Sequence, residues 1–274
     1  SGYGQDGPYS GRPCFGRIAN AFGGISYLSG EPDRPPAQPG SATLADSLAG
    51  LFGGFAMLAA LRHRDATGRG QVVDVSLYEG IFRILDELAP AYDKAGFVRE
   101  RIGADTPIVA PHSHYPTADG RWVAVACTND VIFARLAALM GQPDLATPER
   151  WGRVAARVRD RVAVNEAVAA WSRTLTRDAL LAACEAAQVP AGPVYAIDEI
   201  FADPHFAARG SIARIADPRI GDLAVPAPVP RMSETPPAIT HLGPPLGAHT
   251  DAVLERWLGL GQAEVAALRA KGVV

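Results

Sequence analysis

The segment from residue 46 to residue 77 constrains the fold more than any other part of the chain. Between residues 47 and 64, apolar side chains recur every three or four positions, which is typical of a helix with a core-facing side. Asp46 precedes this pattern and is a candidate N-cap. Gly68 and Gly70 then predict a turn, and the alternation in residues 71–77 predicts a strand. The sequence therefore predicts a unit of helix, tight turn and strand.

The rest of the chain continues this mixture of helix and strand. A long stretch with proline and no periodicity, residues 101–117, predicts a loop that crosses to another domain. Alternation predicts a strand at 122–127, and proline-rich residues 226–245 predict an extended strap. Further expected elements are a strand at 193–195 and helices at 77–94, 131–140, 157–175, 177–187, 197–202, 248–258 and 263–271.

Composition excludes several classes of protein. The net charge of −3 and the scattered arginines give no electrostatic footprint for nucleic acid, so we expect no nucleic-acid partner. Three cysteines without close spacing predict neither a disulfide framework nor a zinc site. We see no apolar run of the ~18 residues that a membrane span needs, and no signal-peptide pattern. We expect a cytoplasmic protein with no membrane partner.

Asp46 admits two interpretations. Its carboxylate can cap the first backbone N–H groups of the helix that follows, which is a structural role. The same geometry also suits a nucleophile, because Ala45, Ser47 and Gly50 are small enough for a substrate to approach. The residues alone leave both interpretations open.

Other polar residues are weaker candidates. His112 and His114 form an H-x-H pair beside Tyr115, but the sequence shows no third ligand, so we expect no metal and interpret both imidazoles as surface or substrate-lining groups. A basic cluster at the end of the predicted helix could meet a phosphate: Arg62, His63, Arg64 and Arg69. Patterns that cradle nucleotide phosphates or present a catalytic serine do not occur.

An ordered series of segments resembles the class III CoA-transferases, the family of formyl-CoA transferase, carnitine CoA-transferase and α-methylacyl-CoA racemase. These segments run from residue 1 to the C-terminus and are SGYGQDGPYSGRP, ANAFGGISYLSGEPDRPP, LADSLAGLFGGFAMLAALRHRDATGRGQVVDVSLYEG, YPTADGRWVAVACTND, VPAGPVYAIDEIFADPHFAARG and LGAHTDAVLERWLG. The TGRGQ-V-DVSL block and the order of the series carry the resemblance.

The resemblance implies an α/β fold. Residues 1–102 would be the remainder of a Rossmann-like large domain, residues 103–202 a smaller α/β domain, and residues 203–274 a strap and helices that return to the large domain. It also implies a homodimer of interlocked subunits. In the family a further N-terminal portion precedes the opening segment, so we expect this chain to be the C-terminal part of a longer polypeptide, or to have a partner chain that supplies the rest.

The resemblance also implies a function and a site. Asp46 matches the family's catalytic aspartate, which would exchange CoA between an acyl-CoA and a carboxylic acid. Tyr3 and Gln5 match positions near the thioester, and Arg69 is our third candidate for binding CoA. Phe15 stands where the racemases carry a histidine, which disfavours racemisation. Phe15 is then either a wall of the acyl site or a residue of the core.

The predicted loop before residue 116 differs from the glycine-rich lid of formyl-CoA transferase. His112, Ser113 and His114 in this loop could instead meet the distal carboxylate of a dicarboxylic acid. Two alternatives to transfer between molecules stay open: CoA transfer within one molecule, and an inactive fragment or subunit that lacks a complete CoA site.

Overall fold

The computed structural model of the protein describes residues 1–40 and 43–274, which divide into two compact units, residues 1–194 and 195–274. The first unit contains two hydrophobic cores, one formed within residues 14–85 and one within residues 110–191. The domain boundaries that we place at 102 and 202 stay predictions. The mixture of helices and strands agrees with the α/β class expected from the sequence.

Helices dominate the first half of the first unit. They are α1 (Gly16–Phe22), α2 (Ile25–Leu28), α3 (Leu44–Thr67), α4 (Leu77–Ile84) and α5 (Leu88–Ala95). The first core joins α1, α3 and α4 through Ala19, Ala45 and Ile81, all fully buried. A Cβ atom at Gly80 would lie 3.2 Å from the Cβ of Leu48, so glycine lets α4 approach α3 closely.

The long apolar helix is confirmed, with one correction at its start. Helix α3 ends at Thr67, and Gly68 follows with φ of 73°, the left-handed conformation that closes many helices. Asp46 is not the N-cap: Thr43 occupies that position, because Leu44 and Ala45 already belong to the helix and pack against the first core. The expectation of no apolar run long enough to span a membrane is wrong: by length and composition α3 could cross one, and only 6% of its apolar 18-residue window is buried among the described residues. One such helix is weak evidence for a membrane span.

The predicted strand over residues 71–77 is wrong. The backbone of residues 71–76 is irregular, and its recorded bonds lead to the opening segment of the chain instead of to a β-sheet. Leu77 already begins α4, because the Ser76 hydroxyl accepts a hydrogen bond from the Glu79 N–H and donates one to its carboxylate. The predicted helix over 77–94 is interrupted at residues 85–87.

The second core lies under a three-stranded antiparallel sheet. Strands β1 (His112–Pro116), β2 (Trp122–Ala126) and β3 (Ala191–Pro193) pair in that order. The helices are α6 (Asp130–Leu139), α7 (Val154–Arg159), α8 (Arg161–Ser172) and α9 (Arg177–Ala186), with a 3-10 turn at Pro143–Ala146. The predicted loop over residues 101–117 therefore contains a strand, which the sequence did not indicate.

The fully buried Arg157 connects the helices of this core to the segment that precedes β1. Arg157 donates from Nε to the Ala110 carbonyl (2.7 Å) and from Nη1 to the Trp151 carbonyl (2.8 Å). Its Nη2 pairs with Asp130 at 3.1 Å. The guanidinium also lies 4.6 Å from the centre of the Phe133 ring. A buried charge is tolerated only when it is paired and hydrogen-bonded in this way.

The second unit is built from short elements. Two short helices, α10 (Ile197–Ala202) and α11 (Pro204–Ala208), precede a hairpin of strands β4 (Ile212–Asp217) and β5 (Gly221–Pro226). The last two elements of the unit are the helices α12 (Thr250–Leu258) and α13 (Gln262–Ala270). The hairpin was not predicted. Residues 227–245 form neither helix nor strand, and Pro226, where the predicted strap begins, ends β5; the strap stays a prediction. Helices α10, α12 and α13 confirm the predicted helices within two residues at each end.

We expect Arg157→Met to lower the free energy of unfolding by roughly 3–5 kcal/mol, because the substitution leaves two carbonyls without their donor and leaves Asp130 paired only with Arg153, at 3.5 Å. Urea unfolding followed by tryptophan fluorescence measures this, since Trp151 and Trp171 pack against the same core. The matched control is Arg159→Met, whose side chain is exposed and should cost about 1 kcal/mol or less. Equal costs for the two variants would contradict a stabilising role for Arg157.

Candidate active site

The Asp46 carboxylate lies at the start of α3. Asp46 is the third residue of the helix, and its side chain is exposed whereas the preceding Ala45 is buried. The free N–H groups and the dipole of a helix start stabilise a negative charge there. Among residues 1–40 and 43–274, no recorded hydrogen bond or ion pair engages this carboxylate, so it is accessible to a ligand.

The opening segment of the chain lies beside the end of residues 71–77. The Ser1 amino group donates to the Val75 carbonyl (3.2 Å), and the Leu77 N–H donates to the Ser1 carbonyl (2.9 Å). The Gln5 N–H donates to Asp74 Oδ2 at 2.9 Å. These bonds fix residues 1–5 against the start of α4, which packs on α3 close to Asp46.

Cys14 connects the opening segment to Asp46. Partial burial raises the pKa of the Cys14 thiol, a hydrogen bond with Tyr3 lowers it, and the nearby charge of Asp46 raises it. A Cβ atom at Gly2 would lie 2.2 Å from the Cβ of Cys14, so only glycine allows this close approach. Tyr3 and Asp46, predicted separately, are therefore neighbours of the same thiol.

The other predicted residues of this site lie at different distances from it. Phe15 follows Cys14 directly, and 80% of its side chain is exposed, so the ring faces solvent and not the core. The Gln5 side chain is exposed beside Asp74. Arg69 is exposed beyond the far end of α3, about 30 Å from Asp46 at a rise of 1.5 Å per residue. The structure therefore does not bring Arg69 and Asp46 together.

An aromatic cluster around Tyr3 was missed in the sequence. The rings of Tyr9 and Phe22 lie 5.7 Å and 5.1 Å from the Tyr3 ring, and Tyr78 lies 5.0 Å from Phe22. The Arg12 guanidinium covers the Tyr9 ring at 3.7 Å. The aromatic residues of SGYGQDGPY were the available signal, but only the folded chain adds partners from α1 and α4. The cluster holds Tyr3 in place beside Cys14.

His112 and His114 lie on β1, on the second core of the same unit, and not in a loop as predicted. Alternate residues of a strand share a face, so both imidazoles lie on the side of the sheet opposite the buried Ser113 and Tyr115. The Tyr115 hydroxyl donates to Asn165 Oδ1 at 2.6 Å, which anchors the strand. Within the described residues, no cluster of three or more His, Cys, Asp or Glu side chains could hold a metal ion.

Comparison with known proteins identifies the family. A profile described as CoA-transferase family III matches residues 1–250. The chain belongs to CoA-transferase family III. A crystal structure of a CAIB/BAIF family protein from Brucella suis shares its fold, with a TM-score of 0.76 and 34% identity over 92% of this chain and 65% of that one.

Relatives with named activities are similar along the whole chain. The succinyl-CoA–L-malate CoA-transferase alpha subunit of Chloroflexus aurantiacus is 48% identical over 274 residues, all of this chain and 64% of that protein. The beta subunit from the same species is 47% identical over 276 residues and is covered to 68%. The chain thus spans about two thirds of the length of these family members.

We expect opposite shifts in Cys14 reactivity from two substitutions. Asp46→Asn removes a negative charge beside the thiol and should lower its pKa, whereas Tyr3→Phe removes a hydrogen-bond donor and should raise it. The rate of iodoacetamide alkylation, followed across the alkaline range by peptide mass spectrometry, reports this pKa. The matched control is Asp6→Asn, an exposed carboxylate of the same opening segment.

The other two thiols do not obscure this measurement. Cys127 and Cys184 are buried in the second core, and burial raises the pKa of Cys127 to about 12 and that of Cys184 to about 11. Mass spectrometry also separates their peptides from that of Cys14. An alkylation profile that Asp46→Asn leaves unchanged would contradict the placement of its carboxylate beside the thiol.

Proposed function

We propose that this member of CoA-transferase family III transfers CoA from an acyl-CoA to a carboxylic acid, with Asp46 as the nucleophile. One observation carries the proposal: the exposed Asp46 carboxylate, which has no recorded partner within the described residues, lies at the start of α3. The resemblance of its segment to the family makes Asp46 the candidate for the family's catalytic aspartate. The named activities of the relatives support the same reaction. A carboxylate is a competent nucleophile for this reaction, and the dipole at a helix start favours negative charge beside it.

The proposed reaction proceeds in four balanced steps. The Asp46 carboxylate attacks the thioester carbonyl of the donor, which forms a mixed anhydride and releases CoA thiolate. The thiolate attacks the Asp46 carbonyl of the anhydride, which forms an aspartyl thioester and releases the donor acid. The acceptor carboxylate then displaces CoA from Asp46, and the thiolate finally attacks the acceptor carbonyl of this second anhydride to regenerate Asp46. Each step conserves an activated acyl bond, provided that water is excluded.

The acids in this exchange are proposed to be dicarboxylates. The Chloroflexus relatives are named for succinyl-CoA with L-malate and with D-citramalate, and a relative from Agrobacterium fabrum that is 34% identical is named for succinate and glutarate. All of these acids carry a second carboxylate that does not react. A site selective for them needs a group that holds this second charge.

We also propose that the chain works within an assembly of subunits. Two relatives of almost equal similarity are named alpha and beta subunits. The exposed face of α3 supports the proposal, because Leu51, Phe55 and Leu58 are each about 70% exposed. Contiguous apolar surface of this kind marks a protein interface more often than free surface. The homodimer and the additional N-terminal segment expected from the family would both cover such a face.

We expect Asp46→Asn to reduce CoA exchange by roughly 10³-fold or more, because the amide cannot form the anhydride. Exchange is measured as transfer of label from free succinate into its CoA ester, with the chain and any polypeptide that copurifies with it. Asp65→Asn, an exposed carboxylate near the other end of α3, is the matched control and should retain exchange.

Trapping of the intermediate completes this test. Incubation with succinyl-CoA followed by hydroxylamine should convert Asp46 into its hydroxamate, because hydroxylamine attacks the activated aspartyl carbonyl. Peptide mass spectrometry identifies the modified residue. Exchange that survives Asp46→Asn, or a hydroxamate on another residue, would show that Asp46 is not the nucleophile. Labelled free acid also separates transfer between molecules from transfer within one molecule, since only the former incorporates the label.

A further inference from the structure

The opening segment of the chain folds into a turn that is anchored at both ends. At its start, Ser1 is bonded through its backbone to the segment that precedes α4, and its hydroxyl accepts a hydrogen bond from the Gly4 N–H at 3.0 Å. At its end, the Gln5 N–H donates to Oδ2 of Asp74 at 2.9 Å. Tyr3 lies between these two anchors, so the position of its side chain depends on both.

Asp74 is the side-chain anchor of this turn. The Ser1 anchor uses backbone groups of the partner segment, which any residue provides, whereas the bond to Gln5 needs a side-chain acceptor. An ionised acceptor binds an N–H group more strongly than a neutral one does. Gly4 shapes the turn next to the carboxylate, because its φ of 96° is a conformation that favours glycine.

The surroundings of Asp74 give its carboxylate no other recorded role. Its neighbours Val73 and Val75 line a cavity of about 330 Å³ between α3 and α4 and are apolar. The N-cap of α4 is Ser76 and not Asp74. Within residues 1–40 and 43–274, no recorded ion pair engages the Asp74 carboxylate. The bond to Gln5 is therefore the interaction that accounts for an aspartate at this position.

Tyr3 connects the turn to the candidate nucleophile. A hydrogen bond joins Tyr3 to the Cys14 thiol, and the charge of Asp46 raises the pKa of the same thiol. Cys14 also packs against the core that contains Ala45, the residue before Asp46. The Tyr3 hydroxyl is thus a hydrogen-bond donor near the carboxylate. Attack of a carboxylate on a thioester turns the carbonyl oxygen into an oxyanion, which a donor of this kind stabilises.

We propose that Asp74 is a positioning residue of the transfer site: its bond to the Gln5 N–H holds the Tyr3 hydroxyl where it donates to the oxyanion that forms beside Asp46. Asp74 acts through Tyr3 and is not itself a catalytic residue. A displacement of the hydroxyl by about 1 Å is enough to reduce its effect on the reaction. The proposal rests on the proposed function for the reaction, whereas the hold on Tyr3 requires no substrate.

The Cys14 thiol reports the position of Tyr3 without any substrate. Asp74→Ala should release the turn, weaken the bond between Tyr3 and Cys14, and raise the pKa of the thiol as Tyr3→Phe does. Iodoacetamide alkylation of Cys14 at a fixed pH below this pKa should then slow by about twofold or more. The sign is diagnostic, because loss of a negative charge by itself would lower the pKa and speed alkylation.

Two further variants separate the hydrogen bond from the charge. Asp74→Asn keeps a side-chain acceptor without the charge and should be alkylated at the rate of the unaltered protein. Asp74→Glu keeps the charge but displaces the acceptor by about 1.5 Å, so it should slow alkylation as Asp74→Ala does. Asp6→Ala, which removes an exposed carboxylate of the same segment, is the matched control and should leave the rate unchanged.

Far-UV circular dichroism verifies that each variant folds, and Asp74→Glu decides alone if Asp74→Ala does not fold. An unchanged or faster rate of Cys14 alkylation in the folded Ala and Glu variants would overturn the proposal. A rate in Asp74→Asn as slow as in Asp74→Ala would overturn it as well, since the charge and not the hydrogen bond would then be what matters.

The exchange assay provides the second measurement. Asp74→Ala should lower kcat by about tenfold or more and change KM by less than about twofold, because a donor to the oxyanion acts in the transition state. In a protein that already carries Tyr3→Phe, Asp74→Ala should reduce kcat no further, since both substitutions act through one hydroxyl. Additive losses of kcat, or a loss confined to KM, would contradict a positioning role.

The two proposals fail in different ways. If exchange does not depend on Asp46 but Asp74→Ala slows alkylation of Cys14, the proposed function is wrong, and the hold of Asp74 on Tyr3 stands. If exchange depends on Asp46 while Asp74→Ala leaves both kcat and alkylation unchanged, the nucleophile is confirmed and the positioning role of Asp74 is wrong.

Discussion

The close packing of α1, α3 and α4 determines where the candidate nucleophile lies. Fully buried Ala45 fixes the first turn of α3 in this core, so that Asp46, the next residue, is held at the surface. Gly80 and Gly23 permit the approach, since a Cβ atom at Gly23 would lie 2.6 Å from a methyl carbon of Ile81. A shift in this packing would change the distance between the carboxylate and the Cys14 thiol, whose pKa the carboxylate raises. Small residues in the core are thus as important to the site as the reactive group itself.

In the second core, the polar residues of the sheet are positioned by a buried arginine and not by apolar packing. There the position of the sheet edge depends on Arg157, whose three donors satisfy two carbonyls and a carboxylate in the interior. Removing the guanidinium would free the Ala110 carbonyl in the segment that precedes β1. The first core therefore places a carboxylate through apolar contact, whereas the second places its imidazoles through a buried charge network.

The sequence predicted features that depend on local residue patterns well. It predicted poorly those that depend on pairing with another segment of the chain. Helix α3 was predictable because its apolar spacing is a local property, and Gly68 marked its end. The strand expected at 71–77 was wrong because alternation describes a side-chain pattern but not a neighbouring strand. Strand β1 was missed for the converse reason: its pairing with β2 depends on residues ten positions away. Asp46 and Tyr3 were candidates through resemblance to a family, while the effect of both on the Cys14 thiol emerged only from the fold.

The surface of α3 links the fold to the assembly that we propose. Its apolar side chains are not confined to one stripe: Leu51 and Phe55 share one side of the helix, Met57 projects from another side, and all three are more than half exposed. A helix that is apolar on several sides is one that folded proteins bury. The first core buries little beyond its first turn, so most of this surface is available to another polypeptide. An interface along α3 would begin next to Asp46, and it would exclude water from the anhydride and thioester on which the proposed transfer depends.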